Sequence, residues 1–151
     1  MVLFLSTFIN KLDKKGRVSV PSSFRTALAG QGFQGIVLFK SQNHPALEGF
    51  AMSYMKEISD RLDNFDLFSN EQDNLATTIF AESVQLPLDG DGRIVMPERL
   101  IEFANLEENA AFVGMGHKFQ IWNPQKLDER KAQASKEVRE KNMTIPKGER
   151  K

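Results

Sequence analysis

Short apolar runs separated by turn residues dominate the chain, and they come in two matching sets. Phe8-Ile9-Asn10-Lys11-Leu12 and Val84-Gln85-Leu86-Pro87-Leu88 read as strands, as do the alternating Val18-Ser19-Val20 and Ile94-Val95-Met96. Each pair is joined by a turn, which predicts two hairpins. Pro21 and Pro97 then end the second strands and open short helices over 21–29, with Phe24 and Leu28 inward, and over 97–104, with Leu100, Ile101 and Ala104 inward. Third strands are expected at 35–39 and 110–114. A fourth is expected at 119–122, with a weaker counterpart at 47–50. Met52, Met55, Ile58 or Ser59, and Leu62 fall at helical spacing, so the methionines are read as core. Asn123-Pro124 is an N-cap followed by proline at the first helical position.

The two sets are copies. Leu12-Asp13-Lys14-Lys15-Gly16-Arg17-Val18-Ser19-Val20-Pro21 returns 76 residues later as Leu88-Asp89-Gly90-Asp91-Gly92-Arg93-Ile94-Val95-Met96-Pro97. Leu, Asp, Gly, Arg and Pro recur identically, five of ten positions. A long period with only two copies indicates a duplicated module rather than a solenoid. Asp-x-x-Gly-Arg is a turn by its chemistry. Asp13 and Asp89 can accept hydrogen bonds from the backbone ahead of them, and Gly16 and Gly92 supply positive φ.

The chain therefore divides into a first repeat over 1–62, a helical connector over 63–82, a second repeat over 83–130 and a charged tail over 131–151. Ser69-Asn70-Glu71-Gln72 resembles a capping box, opening a helix through Leu75, Ile79 and Phe80 that is expected to pack the copies together. The tail after Ala134 reads as a frayed helix or a disordered segment, with Lys147, Arg150 and Lys151 solubilising it or touching DNA non-specifically.

Composition narrows the function. The chain has no cysteine and only two histidines, His44 and His117, so thiol nucleophiles, disulfides and Cys- or His-rich metal sites are not expected. Both histidines read as loop or turn residues. Met1-Val2-Leu3-Phe4-Leu5 is too short and too soon followed by polar residues for a leader, and no apolar run reaches the ~20 residues of a membrane span. A cytoplasmic protein is expected. Net charge is zero, but its distribution is not even. Residues 1–40 hold six bases and one acid, 41–110 four bases and fourteen acids, and 111–151 ten bases and five acids. A basic N-terminal quarter suits phosphate, and the acidic middle is expected to face solvent or other subunits.

The paired Asp-x-x-Gly-Arg segments, with apolar residues and proline after them, resemble the MraZ family, within the swapped-hairpin transition-state regulators related to SpoVT and AbrB. Phe24-Arg25 after the first segment fits the family's first signature, and Val113-Gly114-Met115-Gly116-His117-Lys118-Phe119-Gln120-Ile121-Trp122 fits its C-terminal signature. The resemblance covers roughly residues 4–130. It implies a mainly β fold with short helices (α+β), in which two tandem swapped-hairpin repeats interlock into one pseudo-symmetric barrel-like domain. It also implies a homo-oligomeric ring of several subunits that associates with the nucleoid. The ring would bind short repeated operators ahead of the cell-division and cell-wall gene cluster. Leu5-Ser6-Thr7-Phe8 departs from the family in lacking the glycine often found there.

Arg17 is the leading candidate for DNA contact. From the residues alone it either meets a groove as a bidentate donor or pairs with Asp13 across the turn; the resemblance favours DNA. Lys14, Lys15 and Lys11 are candidates for phosphate contact. Arg25 faces either DNA or an acidic neighbour. Arg93 is a further candidate, but its turn carries Asp89 and Asp91, which favour an internal pair. Asp13, Gly16, Asp89 and Gly92 are the structural turn residues. Trp122 reads as a core or subunit-interface anchor. No Walker loop, nucleophile elbow or metal-ligand cluster is present, so neither an enzyme nor a cofactor is expected. The runner-up is an antitoxin-like protein-interaction module, against which the charged rather than apolar C-terminal segment counts.

Overall fold

The computed structural model describes residues 3–148. In chain order the elements are β1 (Thr7–Lys11), β2 (Arg17–Ser19), α1 (Ser22–Leu28), β3 (Gly35–Lys40), β4 (Leu47–Phe50), α2 (Met52–Leu62), α3 (Asn70–Ala76), a π-helical turn (Thr77–Ala81), β5 (Val84–Pro87), β6 (Arg93–Val95), α4 (Glu98–Phe103), β7 (Asn109–Gly114), β8 (Phe119–Trp122) and α5 (Pro124–Glu140). The fold is mainly β with short helices, and every expected strand is present.

The expected local hairpins are replaced by exchanged ones. β1 and β2 are linked by their turn and touch through one bridge, Leu12 to Val18, but neither forms a ladder with the other. β1 instead pairs antiparallel with β7, and β5 with β3. β2 pairs with β6, so Val18 lies opposite Ile94, its counterpart 76 residues on. The physical reason is burial. Val18, Val20, Ile94 and Met96 all enter one core, and each short arm buries its apolar face only when it crosses to the other copy.

The larger sheet has the order β1-β7-β8-β4-β3-β5. Exchanging the copies reverses this order onto itself, so a pseudo-twofold axis passes between β4 and β8. There Glu48 lies opposite Gln120, and the same axis passes through Val18 and Ile94 in the small ribbon.

One face of the sheet joins the ribbon, α1 and α4 around the main core. Phe24 sits at its centre, with ring centroids 5.2 Å from Phe4, 5.4 Å from Phe119 and 5.7 Å from Phe8. Leu28, Leu100 and Ala104 are buried as expected, and Ile101 packs at the edge. Pro21 and Pro97 stand at the N-cap positions rather than inside the helices. Phe4 is buried and bridges to Gly116, which ties the apolar start of the chain into the sheet.

The opposite face is covered by two helices in equivalent places. α2 sets Met55 against Val37, Phe39 and Phe50, with Met52 and Ile58 half-buried beside them. α5 sets Leu127 against Ala46, Ala111, Val113 and Trp122. Asn123 caps α5 by accepting from the amides of Gln125 and Lys126.

Ser69 caps α3 through the Gln72 amide, at 3.1 Å. The reciprocal half of the box is absent: the Ser69 amide donates to the Asp66 carbonyl. The connector touches both copies: Ile79 and Phe80 pack on the α2 cluster of the first, and Glu82 meets Arg99 of the second at 3.8 Å. The expected fraying after Ala134 does not occur. α5 is continuous to Glu140, supported by i,i+4 pairs such as Lys136–Glu140 and Glu137–Lys141. Arg150 and Lys151 lie outside the described residues.

Candidate nucleic-acid interface

The two Asp-x-x-Gly-Arg turns are built alike. In the first, Asp13 Oδ1 accepts from the amides of Lys15 and Arg17, both at 2.9 Å. In the second, Asp89 Oδ1 accepts from Asp91 at 2.8 Å and Arg93 at 2.9 Å. These amides are why Asp opens the motif. The Arg17 amide, then its side chain, hold the Asp13 carboxyl below the ordinary 3.8, and the Arg93 amide does the same for Asp89. Gly16 and Gly92 adopt φ of +84° and +75°.

Each turn is also stitched to the other copy. The Met96 amide donates to the Gly16 carbonyl at 2.8 Å, and the equivalent Val20 amide donates to Gly92 at 3.0 Å. Because β2 and β6 run antiparallel, the turns leave opposite ends of the small ribbon.

The turns differ in how their arginines are used. Arg17 Nε donates to Asp13 Oδ2 at 2.7 Å, and its side chain is 40% exposed. Among the described residues, no hydrogen bond engages its terminal Nη atoms. The pairing with Asp13 therefore orients the guanidinium without occupying its outer edge. Arg93 likewise reaches Asp89 through Nε, at 3.2 Å, but its Nη2 turns back to Asp91 at 3.3 Å. That internal pair is the one the sequence favoured. Lys14 and Lys15 stand exposed beside Arg17, and no ion pair with either is found among the described residues. Lys11 is exposed at the end of the edge strand β1, opposite Asn109.

Arg25 does not join this cluster. It lies over the second turn, where a Cβ added to Gly92 would stand 2.7 Å from its Cδ, and it donates to the Val20 carbonyl. Its counterpart in the second copy, Ile101, lies over Gly16 of the first turn. A cation thus backs the acidic turn and a neutral residue backs the basic one. This crossed arrangement was not legible from the sequence, because it depends on the exchange of arms.

Both regions match the family model described as "MraZ protein, putative antitoxin-like", over residues 3–77 and 79–145. The chain belongs to the MraZ family. Transcriptional regulator MraZ from Rickettsia bellii strain OSU 85-389 is 40% identical over 146 residues, covering 96% of this chain and 97% of that one. The proteins of the same name from Rickettsia rickettsii strain Sheila Smith and Rickettsia akari strain Hartford are 39% and 38% identical, each over 145 residues, with the same coverage.

The rest of the MraZ-family signature is structural. Trp122 is buried, and its Nε1 donates to Gln120 Oε1 at 2.9 Å, so it anchors the core rather than a subunit interface. Gln120 in turn donates to both oxygens of Glu48 at 3.2 Å, and Lys118 Nζ meets Glu48 Oε1 at 2.9 Å. This network sits on the pseudo-twofold axis. Its signal in the sequence was a lone acid between apolar strand residues, Leu47-Glu48-Gly49-Phe50.

His117 is an exposed turn residue stacked on Tyr54, with ring centroids 5.5 Å apart. Burial, then the nearby Arg130, push His44 below its ordinary 6.5. Among the described residues, no group of three or more His, Cys, Asp or Glu is placed to hold a metal ion. No helix among them is long and apolar enough to cross a membrane.

Proposed function

We propose that this protein is a DNA-binding transcriptional regulator whose first turn, Asp13 to Arg17, meets the double helix. The observation that carries the reading is the free outer edge of the Arg17 guanidinium, held in place by Asp13 and flanked by exposed Lys14 and Lys15. A planar fork of this kind suits guanine or phosphate, while the lysines supply sequence-independent attraction. Lys11 extends the same basic stretch. Arg93 and Arg25 serve the second turn internally and contribute less to binding. The relatives' name, transcriptional regulator, supports the same class of activity.

One basic turn per chain is too little for tight recognition. The protein therefore acts as a homo-oligomeric ring that presents several turns to repeated operators, so that avidity supplies the affinity. The operators lie ahead of the cell-division and cell-wall gene cluster, and the protein works in the cytoplasm on the nucleoid, without cofactor or catalysis. The functional units are the repeats over 1–62 and 83–130, with the connector and tail serving assembly.

The test is Arg17→Ala. On DNA fragments selected by the purified wild-type protein, affinity falls at least about tenfold, the loss of one bidentate contact. Melting stays within about 3 °C, because an exposed ion pair adds little stability. Unchanged affinity, or a collapsed melting temperature, would overturn the assignment.

A further inference from the structure

The duplication has left the molecule with two ends alike in build and opposite in charge. α2 follows β4 and α5 follows β8, so the chain beyond each helix emerges at pseudo-equivalent places. From the second half of α2 through α3 the surface is acidic and apolar. Residues 57–76 hold six acids and one base. Within them Phe68 is 92% exposed, Leu67 69%, and Phe65 and Leu75 40% each, and α3 buries no side chain at all. Beyond the middle of α5 the surface is basic and apolar. Residues 132–148 hold four bases and two acids, and Val138, Met143 and Ile145 are exposed.

A phenylalanine left almost wholly in water, in a stretch rich in acids, marks a surface that has a partner. Charge decides which one. DNA and anionic membranes repel six acids, and two connectors placed face to face would double them. An apolar surface with a basic rim is needed, and the α5 end of another copy is one.

We propose that the connector of one copy docks on the outer C-terminal half of α5 of the next. The inference rests on the assembly reading above and names the surfaces that build it. Because the two surfaces differ, the contact is heterologous and propagates head to tail, closing into a ring where the rotation permits. It also places the acidic connector against protein instead of DNA.

The experiment uses the full chain in light scattering coupled to size exclusion at near-physiological salt, with circular dichroism to verify the helices. Asp63→Lys/Asp66→Lys cancels most of the connector's negative charge, leaving four acids and three bases over 57–76; Lys136→Glu/Arg139→Glu makes the α5 end acidic, with two bases and four acids over 132–148. All four residues are exposed, so the fold tolerates the changes. Each variant alone is expected at the single-chain mass of 17.1 kDa, while a 1:1 mixture of the two regains the mass of the wild-type assembly. Phe68→Ser is expected to weaken assembly without a change in charge.

If the wild type assembles and both reversal variants keep its mass, the docking surface is wrong and the assembly reading stands. Reversal variants that dissociate but do not reassemble on mixing would overturn the pairing of connector with α5. A wild type at 17.1 kDa would overturn both readings.

Discussion

Adding one methyl group at two equivalent glycines should cost different amounts of stability. Gly16 and Gly92 hold the same place in the two turns, with φ of +84° and +75°. Either alanine meets the left-handed penalty, about 1–2 kcal/mol. At Gly16 the new Cβ would stand 2.7 Å from the Met96 carbonyl oxygen. That is backbone, and its own amide is bonded to the Gly16 carbonyl at 2.8 Å. Relieving the clash strains that bond, which adds about 1 kcal/mol. At Gly92 the Cβ meets Cδ and Nε of Arg25, at 2.7 and 2.8 Å, and a flexible side chain can swing aside.

Gly16→Ala is therefore expected to lose about 2–3 kcal/mol, and Gly92→Ala about 1–2 kcal/mol. Gly30→Ala isolates the conformational penalty, since φ there is +86° and nothing lies within 4 Å of the added carbon. Gly90→Ala, with open space and no positive φ, should be neutral or slightly stabilising. Denaturant midpoints measured at one protein concentration give the order. A Gly92→Ala loss exceeding that of Gly16→Ala, or a Gly16→Ala loss no larger than that of Gly30→Ala, would refute the reasoning.

Glu48→Ala strands the buried Gln120 amide and should destabilise the fold by about 1–3 kcal/mol in thermal melts, whereas Glu48→Gln, which copies the residue across the pseudo-axis, should cost less. Lys14→Ala and Lys15→Ala should each flatten the slope of log K against log salt by about one unit per turn engaged, read by fluorescence anisotropy at several salt concentrations, with no change in sequence preference. His44 titrates below 6.5 when folded, so the unfolded chain takes up its proton first, and stability should drop as pH falls through 6.5; His44→Gln should remove that drop in pH-dependent denaturation. Asp13 and Asp89 carry the opposite charge logic: their contribution is complete above 3.8 and is lost only as pH falls below it through their lowered folded values.

Much of this was legible in the residues. The 76-residue repeat located both turns, and correspondence between the copies placed even β4, the weakest strand, near its true limits. Asp13 and Gly16 follow from turn chemistry alone. What local pattern could not reveal was the partner of each strand. A three-residue arm such as Arg17–Ser19 reads the same whether it folds back or crosses over, because the choice depends on burial contributed from 76 residues away. The roles of Arg25 and Ile101 follow from that crossing and were hidden with it. Ser6, at φ +73°, occupies the stretch where the family often carries glycine, a strain that composition does not signal. The exposure of the connector was hidden for a related reason: its apolar spacing is that of a core helix, yet Phe65, Leu67, Phe68 and Leu75 are exposed while Ile79 and Phe80 pack on the α2 cluster.

Whether DNA meets the first turn in preference to the second is tested by placing a cleavage reagent on each turn. The chain has no cysteine, so Lys14→Cys and Gly90→Cys each create one attachment point, at equivalent and exposed positions. With an iron chelate tethered there, strand scission on selected DNA is predicted from residue 14, at regular operator spacing, and not from residue 90. Cleavage of equal strength from both positions, or from residue 90 alone, would contradict that preference.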